Sequence, residues 1–387
     1  MVLKLNTSLL LGMTNMKIPV NVPNLLGNEK KYLNECIDTG WISSEGPFVR
    51  RFEEGMCQLA NRKHGVAVCN GSVALDMALQ ALELPRGSEV IIPSFTIISC
   101  VSAVMRVGCV PVLIDNDPLS WNMDVNLIES KITEKTCAIM AVHIYGLPVN
   151  MHPIFSLAKK YGLCVIEDAA EAIGQTYYGE PCGSFGDISC FSFYPNKHIT
   201  TGEGGMVLCN DAELAERCRS LRNLAFVPER RFMHHQLGYN YRMSNLQAAL
   251  GVAQLEKLDS TLEKKRYIGR YYQELLKDIS GLQLPLLQTD YADNLFWVFG
   301  IVLNQGFSID AQEFQERLTF KGVSTRPFFW PMHMQPVLLR QGLFKGECYP
   351  VAENIARRGF YIPSGVGLTN EQMEYVAAQV RIVMEEL

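Results

Sequence analysis

The chain has 387 residues, of which 48% are hydrophobic and 19% are charged, and its formal net charge is −5. This composition is that of an ordinary globular protein and excludes a largely disordered chain, while the length favours two domains. Nucleic-acid binding is not indicated, because it needs a concentrated basic face.

The N-terminal segment contains a short apolar cluster at residues 9–11. The cluster is too short for the apolar core of a secretory signal, and no small-residue cleavage site follows it. No later segment approaches the ~20 apolar residues that a membrane span needs. We therefore expect a cytoplasmic protein that binds no membrane, and we interpret residues 1–15 as a dispensable tail.

From about residue 65 to residue 210, apolar runs of strand length alternate with stretches of helical period. The predicted strands are 66–69, 89–93, 110–114, 137–142, 164–166, 187–193 and 206–209. The predicted helices between them are 74–84, 99–107 and 153–161. This alternation predicts an α/β fold whose seven-stranded, mostly parallel sheet is covered on both faces. In such sheets, ligands bind outside the carboxyl ends of the strands.

The pattern changes after residue 243. Ser244 is a candidate N-cap for a long helix that runs towards Leu276, with a break near Asp259. The stretch 281–290 has the character of a linker. A second, smaller unit is therefore expected in the last third of the chain.

This smaller unit is predicted to contain a strand at 295–303, a helix at 311–321 and a strand near 323–328. Thr369 and Gln372 form the capping-box pattern that begins the last helix. These elements predict a small C-terminal α+β domain. The predicted domain bounds are 16–258 for the large domain and 259–387 for the small domain with its linking helix.

The twelve cysteines show no C-x-x-C spacing. Several of them lie inside apolar runs, where free cysteine behaves as a small buried hydrophobic residue. We therefore expect a reducing compartment, no disulfide framework and no metal site.

The first candidate motif is VAVCNGSVALDMALQAL, residues 66–82, in which a strand ends at Asn70-Gly71-Ser72 and a helix begins. Backbone N–H groups at a helix start, together with a serine hydroxyl, suit a phosphate group. The alternative is a plain turn between strand and helix, with Ser72 as the N-cap. Taken alone, the motif favours that plain turn.

The second motif is CVIEDAAEAIG, residues 164–174, in which a buried strand ends in Glu167 and Asp168 and Glu171 follows one turn later. A buried carboxylate is costly unless it is paired. A protonated pyridine nitrogen would be a suitable partner, because it favours the ionised carboxylate. The alternative is a solvated acid at a helix start, and we expect that of either Glu167 or Asp168.

The third motif is SFYPNKHITTGEGG, residues 192–205, with Lys197 between a strand-like run and a glycine cluster. An amine that forms a Schiff base must be desolvated, or placed near positive charge, to be neutral at pH 7. Ser192 lies at the end of the same strand, within reach of a phosphate. The alternative is a surface lysine before a loop, which is the better interpretation if no other signal is present.

The fourth motif is HQLGYNYRMSNLQAALG, residues 235–251, in which Asn240 and Arg242 precede a capped helix. These side chains either bind an anion or pack within the loop. The first three motifs, a phosphate cradle, a buried acid and a lysine, follow one another on successive strand ends. Together they match the phosphate, ring nitrogen and aldehyde of pyridoxal 5′-phosphate (PLP).

These segments resemble the DegT-type nucleotide-sugar aminotransferases, which are fold-type-I PLP enzymes. The resemblance extends over nearly all of the chain from about residue 16. It rests on GWISSEGPFVRRFEE, NGSVAL, GSEVIIPSFT, AVHIYG, IEDAAEAIG, GSFGDISCFSF, NKHITTGEGG and GYNYRMSNLQAALG. Within the family, VHIYG, EDAAEAIG and NKHITTGEGG are most similar to the subgroup that aminates GDP-4-keto-6-deoxymannose to GDP-perosamine.

The resemblance implies roles for three residues around the cofactor ring. Lys197 would form the Schiff base with the cofactor aldehyde and move protons. Asp168 would pair with the ring nitrogen. Glu171 would lie beside the ring hydroxyl, where many relatives carry glutamine.

The resemblance also implies how the cofactor is held at its other end. Gly71, Ser72 and Ser192 would bind the phosphate. Asn240 would reach the same phosphate from the neighbouring subunit, which implies a homodimer with shared active sites. Where the family usually stacks an aromatic side chain on the ring, this chain has Ile97.

Candidate contacts to the nucleotide sugar or the amino donor complete the predicted site. For His143, packing is an equal alternative. The candidates are Trp41, Ser43, Ser44, His143, Arg242, Arg326 and His333.

The expected reaction moves an amino group from L-glutamate to the C4 ketone of a nucleotide-linked 4-keto-6-deoxy sugar for surface polysaccharide, with GDP-4-keto-6-deoxymannose as the expected substrate. A UDP- or dTDP-linked sugar, or amination at C3, is an alternative. Two further alternatives are a dehydratase, in which relatives replace the lysine with histidine, and a non-enzymatic sensor. Here Lys197 is present and His198 is its neighbour, not its substitute.

Overall fold

The computed structural model describes residues 17–227 and 229–387, so the predicted tail lies outside the described residues. Within these ranges the chain forms a seven-stranded sheet, a four-stranded sheet and a two-stranded ribbon. None of the helices in the described ranges is both long enough and apolar enough to cross a membrane.

The large sheet is built from short runs rich in Val and Ile, residues that favour strands. The first nine strands are β1 (His64–Val68), β2 (Glu89–Pro93), β3 (Val110–Ile114), β4 (Thr136–Val142), β5 (Cys164–Asp168), β6 (Thr176–Tyr177), β7 (Glu180–Pro181), β8 (Ile188–Ser192) and β9 (Gly205–Cys209). β6 and β7 form the ribbon, and the other seven form the sheet in the order β1-β9-β8-β5-β4-β2-β3. β9 runs antiparallel to both of its neighbours, β1 and β8, and the other pairs of adjacent strands in this sheet are parallel. The predicted α/β fold with a mostly parallel seven-stranded sheet is therefore confirmed.

Helices cover both faces of this sheet. They are α1 (Glu29–Thr39), α2 (Pro47–Leu59), α3 (Gly71–Ala81), α4 (Ile98–Arg106), α5 (Met151–Tyr161), α6 (Ala212–Arg222), α7 (Asn245–Leu255) and α8 (Leu258–Leu276). Because successive strand residues point to opposite faces, Val90 and Ile92 pack in the core with α3 and α4, and Ile91 packs in the core with α5.

The last part of the chain forms the four-stranded antiparallel sheet. Its strands are β10 (Leu282–Gln283), β11 (Phe299–Leu303), β12 (Arg326–Pro327) and β13 (Gly359–Ile362), in the order β10-β11-β13-β12. The accompanying helices are α9 (Ala311–Phe320), α10 (Pro336–Arg340), α11 (Pro350–Arg358) and α12 (Asn370–Glu385). One face of the sheet shares a core with α8, α9 and α12.

The structure corrects two details of the predicted elements. The long helix is interrupted by two residues after Leu255, earlier than expected, and part of the predicted linker over 281–290 forms the edge strand β10. Both helices beside the interruption bury apolar residues at helical spacing, so periodicity does not reveal it. The capping boxes at Ser244 and Thr369 are confirmed. The domain bounds stay a prediction.

Candidate active site

A cavity of about 540 Å³ lies at the edge of the large sheet where β1, β2, β4, β5 and β8 end. The carboxyl edge of a parallel sheet is the expected place for a ligand. Residues that the sequence predicted as one site lie together on its wall. They are Gly71, Ser72, Ile97, Asp168, Glu171, Ser192 and Lys197.

One end of the cavity is formed by the start of α3. Asn70 is the N-cap, because its Oδ1 accepts a hydrogen bond from Val73 N at 2.9 Å, so the alternative that Ser72 is the N-cap is wrong. The Ser72 Oγ instead lies 2.7 Å from the Ser99 Oγ. A Cβ at Gly71 would lie 2.6 Å from the Ser192 Cβ, so only glycine permits this approach. Free N–H groups and hydroxyls at a helix start suit a phosphate.

Asp168 ends β5 at the base of the cavity and is 3% exposed. Its Oδ1 accepts a hydrogen bond from Ala170 N at 3.1 Å, and its Oδ2 lies 3.5 Å from the Cys100 Sγ. Burial raises the pKa of Asp168, while the Ala170 N–H and the charge of Lys197 lower it. The carboxylate is thus positioned to pair with a cation in the cavity.

Glu167 points to the opposite face of β5 and is also buried, so the expectation that one of the two acids is solvated is wrong. It accepts hydrogen bonds from Gly183 N at 2.6 Å and Phe185 N at 2.8 Å. Its Oε1 lies 2.9 Å from the Nε2 of His143, whose Nδ1 accepts from Val149 N. A buried acid with these donors is fully satisfied within the protein.

These contacts correct the assignment of His143 as a substrate contact. The side chain is fully buried and both ring nitrogens are engaged by protein atoms, so it supports β5 from behind the cavity. His143, Glu167 and Cys182 also form a group in which one ligand atom of each lies within 4.8 Å of the others. Because the Nδ1 accepts a hydrogen bond, the Nε2 carries the proton that it donates to Glu167. His143 and Glu167 are thus joined by a hydrogen bond.

Lys197 lies in a turn after β8, where its backbone N–H donates a hydrogen bond to the carbonyl of Tyr194. Its side chain is 10% exposed. Its Nζ lies 3.5 Å from the Glu171 Oε1, and the Glu171 Oε2 accepts from Tyr145 N at 2.9 Å. Burial lowers the pKa of Lys197 and raises the pKa of Glu171 to about 7. Burial thus moves both groups towards their neutral forms, and each group's charge opposes the change in the other.

The cavity wall also contains residues that the sequence did not single out. Ser99 could have been found, because it lies in the first turn of α4, next to the predicted Ile97. Trp297, Phe329 and Tyr361 had no local signal, because they reach the cavity from distant segments, whereas Tyr194 and Asn196 lie inside the third motif, close to Lys197. The wall residues that were missed include Thr96, Ser99, Tyr194, Asn196, Trp297, Phe329 and Tyr361.

Other predicted residues lie outside this cavity. Arg242 and Ser44 line a separate cavity of about 430 Å³, and the Arg242 Nε donates to the exposed Asn240 at 2.9 Å. Trp41 and Ser43 are exposed on the segment before α2. Within one chain, none of these side chains reaches the predicted site.

Arg326 and His333 differ in position. Arg326 is exposed on β12, in register with Tyr361 of the cavity wall. His333 is buried, its Nδ1 lies 2.9 Å from the Ser94 Oγ, and its Nε2 lies 3.1 Å from the Glu353 Oε1. This corrects the assignment of His333 as a substrate contact, since both ring nitrogens are engaged within the protein.

Comparison with known proteins identifies the family. The profile of the DegT/DnrJ/EryC1/StrS aminotransferase family matches residues 23–381. The chain belongs to this family. It is therefore a PLP-dependent aminotransferase, as the resemblance implied.

Members of this aminotransferase family with similar sequences cover almost the whole chain. GDP-perosamine synthase of Escherichia coli O157:H7 is 42% identical over 94% of this chain and 97% of its own length. GDP-perosamine synthase of Caulobacter vibrioides is 41% identical over 95% of this chain and 98% of its own length. Among solved structures, Helicobacter pylori PseC, an aminotransferase of pseudoaminic acid biosynthesis, superimposes with a TM-score of 0.90 at 25% identity over 96% of this chain and 100% of its own. The fold-type-I architecture is thereby confirmed.

The cavity fits the cofactor of this aminotransferase family. The hydroxyls of Ser72, Ser99 and Ser192 surround the start of α3, where a phosphate is favoured. A carboxylate and an amine lie farther along the same wall, at Asp168 and Lys197. Phosphate donors, an anion and an amine are the three groups that PLP requires.

Proposed function

We propose that this aminotransferase moves an amino group from L-glutamate to the C4 ketone of GDP-4-keto-6-deoxymannose, giving GDP-perosamine for surface polysaccharide. The reaction type rests on one observation: the amine of Lys197 lies 3.5 Å from Glu171, in the cavity that has Asp168 at its base. The substrate rests on the similarity, over nearly complete lengths, to two proteins named GDP-perosamine synthase.

The residues that would hold the cofactor follow from the cavity wall. Gly71, Ser72 and Ser192 would bind its phosphate, Asp168 its ring nitrogen, and Lys197 its aldehyde. When bound, PLP supplies an electron sink that stabilises negative charge on the reacting carbon. The Asp168 carboxylate supports this chemistry, because a nearby anion favours the protonated ring nitrogen.

Lys197 would move the proton of the reaction. Its Nζ, once free, takes a proton from the donor carbon that bears the amino group, and returns a proton in the second half-reaction. Burial favours the neutral amine that this base chemistry needs. The Glu171 carboxylate, 3.5 Å away, stabilises the ammonium form that follows proton uptake.

We also propose that the active enzyme is a homodimer with shared sites. Asn240 and Arg242 are candidate anion ligands, yet neither lines the cavity of its own chain. Both would therefore act in the site of the neighbouring subunit, Asn240 on the cofactor phosphate. Trp41, Ser43 and Arg326 are exposed and would contact the nucleotide sugar or the amino donor there.

The experiment is an assay of the purified enzyme with PLP, L-glutamate and a panel of GDP-, UDP- and dTDP-linked 4-keto-6-deoxy sugars. We expect mass spectrometry to show the amino sugar with GDP-4-keto-6-deoxymannose, and we expect Lys197→Ala to abolish the product. Turnover of a UDP- or dTDP-linked sugar alone would overturn the substrate assignment. Loss of water from the sugar without consumption of glutamate would indicate a dehydratase.

A further inference from the structure

Trp297 precedes strand β11 of the small sheet by two residues and contacts the proposed catalytic lysine. It is 5% exposed, and the Nζ of Lys197 lies over its ring, 3.7 Å from the ring centroid. At this distance a protonated amine is attracted to the indole face, and the attraction is stronger in a buried site than in water. The indole ring is therefore in contact with the Lys197 Nζ, the atom that would react with the cofactor.

The indole is fixed at its edge. Its Nε1 donates a hydrogen bond of 2.8 Å to the carbonyl of Asn196, the residue before Lys197. Trp297 thus holds the lysine at both ends. Its ring face contacts the amine, and its indole N–H binds the backbone next to Lys197. An interaction at both ends restricts where the flexible lysine side chain can point.

The backbone of Trp297 is fixed from behind by Lys265, a buried residue of α8. The Lys265 Nζ donates to Trp297 O and to Ser364 O, each at 2.7 Å. The glycine at Gly146 packs against the other side, because a Cβ there would lie 2.5 Å from Trp297 N. Burying an amine is costly unless it is hydrogen-bonded, so these two hydrogen bonds hold Lys265 in place and fix the backbone of Trp297.

We propose that Trp297 is a positioning residue whose indole face holds the amine of Lys197 and stabilises the ammonium that forms when this base takes up a proton, and that Lys265 fixes Trp297 in this place. The proposal rests on the proposed role of Lys197. The other groups that face the amine are the carboxyls of Glu171 and Asp168, and all variants below retain them.

The test measures the protonation of Lys197 directly, in the pyridoxamine-phosphate form of the holoenzyme, in which this amine is free. Competitive acetylation across pH, read on the Lys197 peptide by mass spectrometry, gives the pKa of the amine. In Trp297→Leu we expect the pKa to fall by about half a unit or more, since the stabilised ammonium loses its partner. Water admitted by the smaller side chain would raise the pKa, so an unchanged or raised value overturns the proposal.

Three further variants control the test. Trp297→Phe keeps a ring face, so its Lys197 pKa is expected to lie closer to that of the unaltered enzyme than to that of Trp297→Leu. Phe329→Leu removes another aromatic side chain of the same cavity and is expected to leave the pKa unchanged. Lys265→Met keeps the apolar stem but loses both donors, so the pKa is expected to fall as in Trp297→Leu, by a smaller amount. A pKa equal to that of the unaltered enzyme in Lys265→Met overturns the part assigned to Lys265.

The proposal and the proposed function fail in different ways. Borohydride reduction of the PLP-loaded enzyme should fix the cofactor on the Lys197 peptide in every variant. If the label is found elsewhere, the role of Lys197 is wrong. If the label is found on Lys197 but Trp297→Leu leaves its pKa unchanged, only the role of Trp297 is wrong.

Discussion

The Oε1 of Glu171 lies 3.5 Å from the Nζ of Lys197, and the two side chains are only 9% and 10% exposed. Water therefore screens this pair weakly, and each group's ionisation depends on the other. Because the carboxylate stabilises the ammonium form, Glu171 raises the pKa of an amine that burial lowers. The pair controls the pH at which the amine is a base.

Replacing Glu171 with glutamine is expected to shift the pH dependence of the reaction with L-glutamate. Without the carboxylate the pKa of Lys197 falls, so the rise of the half-reaction rate with pH should move down by about one unit. Burial raises the pKa of Glu171 to about 7, so the carboxyl is already neutral below that pH. The rates of the unaltered enzyme and of Glu171→Gln should thus differ most above pH 7. Absorbance measurements of the half-reaction with L-glutamate give these rates.

A matched control for this change is Glu203→Gln. Glu203 lines the same cavity but is exposed, and among the described residues the hydrogen bond and ion pair of the Lys197 amine are with Glu171 and not with Glu203. Its pH profile should superimpose on that of the unaltered enzyme. Equal shifts in both variants would mean that the net charge of the cavity, and not the contact of Glu171 with Lys197, controls the amine.

The close approach of Gly71 to Ser192 predicts a loss of cofactor affinity in Gly71→Ala. The added methyl group would lie 2.6 Å from the Ser192 Cβ, and such overpacking costs about 1–3 kcal/mol. The dissociation constant for PLP, from absorbance titration, should rise about tenfold or more. Gly367→Ala is the control, because its Cβ would meet no atom within 4 Å and its affinity should be unchanged.

Asp168 and Glu167 are adjacent acids on opposite faces of β5, which allows the same chemical change to be compared at both. Asp168→Asn should lower kcat about 100-fold or more with little change in stability, because its charge supports the cofactor ring. Glu167→Gln should leave kcat within a few-fold but lower the free energy of unfolding by about 1–3 kcal/mol, since three buried donors lose their anionic acceptor. Urea unfolding and steady-state kinetics on both variants test this difference. Equal losses of kcat in the two variants would contradict the assignment of Asp168 to the cofactor and of Glu167 to the protein interior.

The proposed sharing of sites between subunits predicts complementation. Lys197→Ala and Asn240→Ala proteins, each nearly inactive, are unfolded, mixed and refolded together. If Asn240 serves the neighbouring subunit, each mixed dimer has one intact site, and the mixture should recover about a quarter of the full activity. No recovery beyond the sum of the two parents would place Asn240 in the site of its own chain.

Much of the site could be predicted because parallel strands end at one edge. Asn70-Gly71-Ser72, Asp168 and Lys197 are far apart along the chain, yet each lies at or after the end of a strand of the same sheet, and the structure places them on one cavity wall. Only the resemblance to the family, and not the strand pattern itself, indicated which of Glu167 and Asp168 faces the cavity. That depends on how the pleat of β5 is oriented against its neighbours.

The sequence by itself determined the sheet, its ligand-binding edge and the chemical groups along that edge, because apolar periodicity and turn residues are local signals. Tertiary structure alone decided what surrounds those groups. Trp297, Phe329 and Tyr361 reach the cavity from the region of the small sheet, and His143 and His333 turn inward to buried partners. Contacts between distant segments depend on how whole layers pack, and no local pattern of residues records that packing.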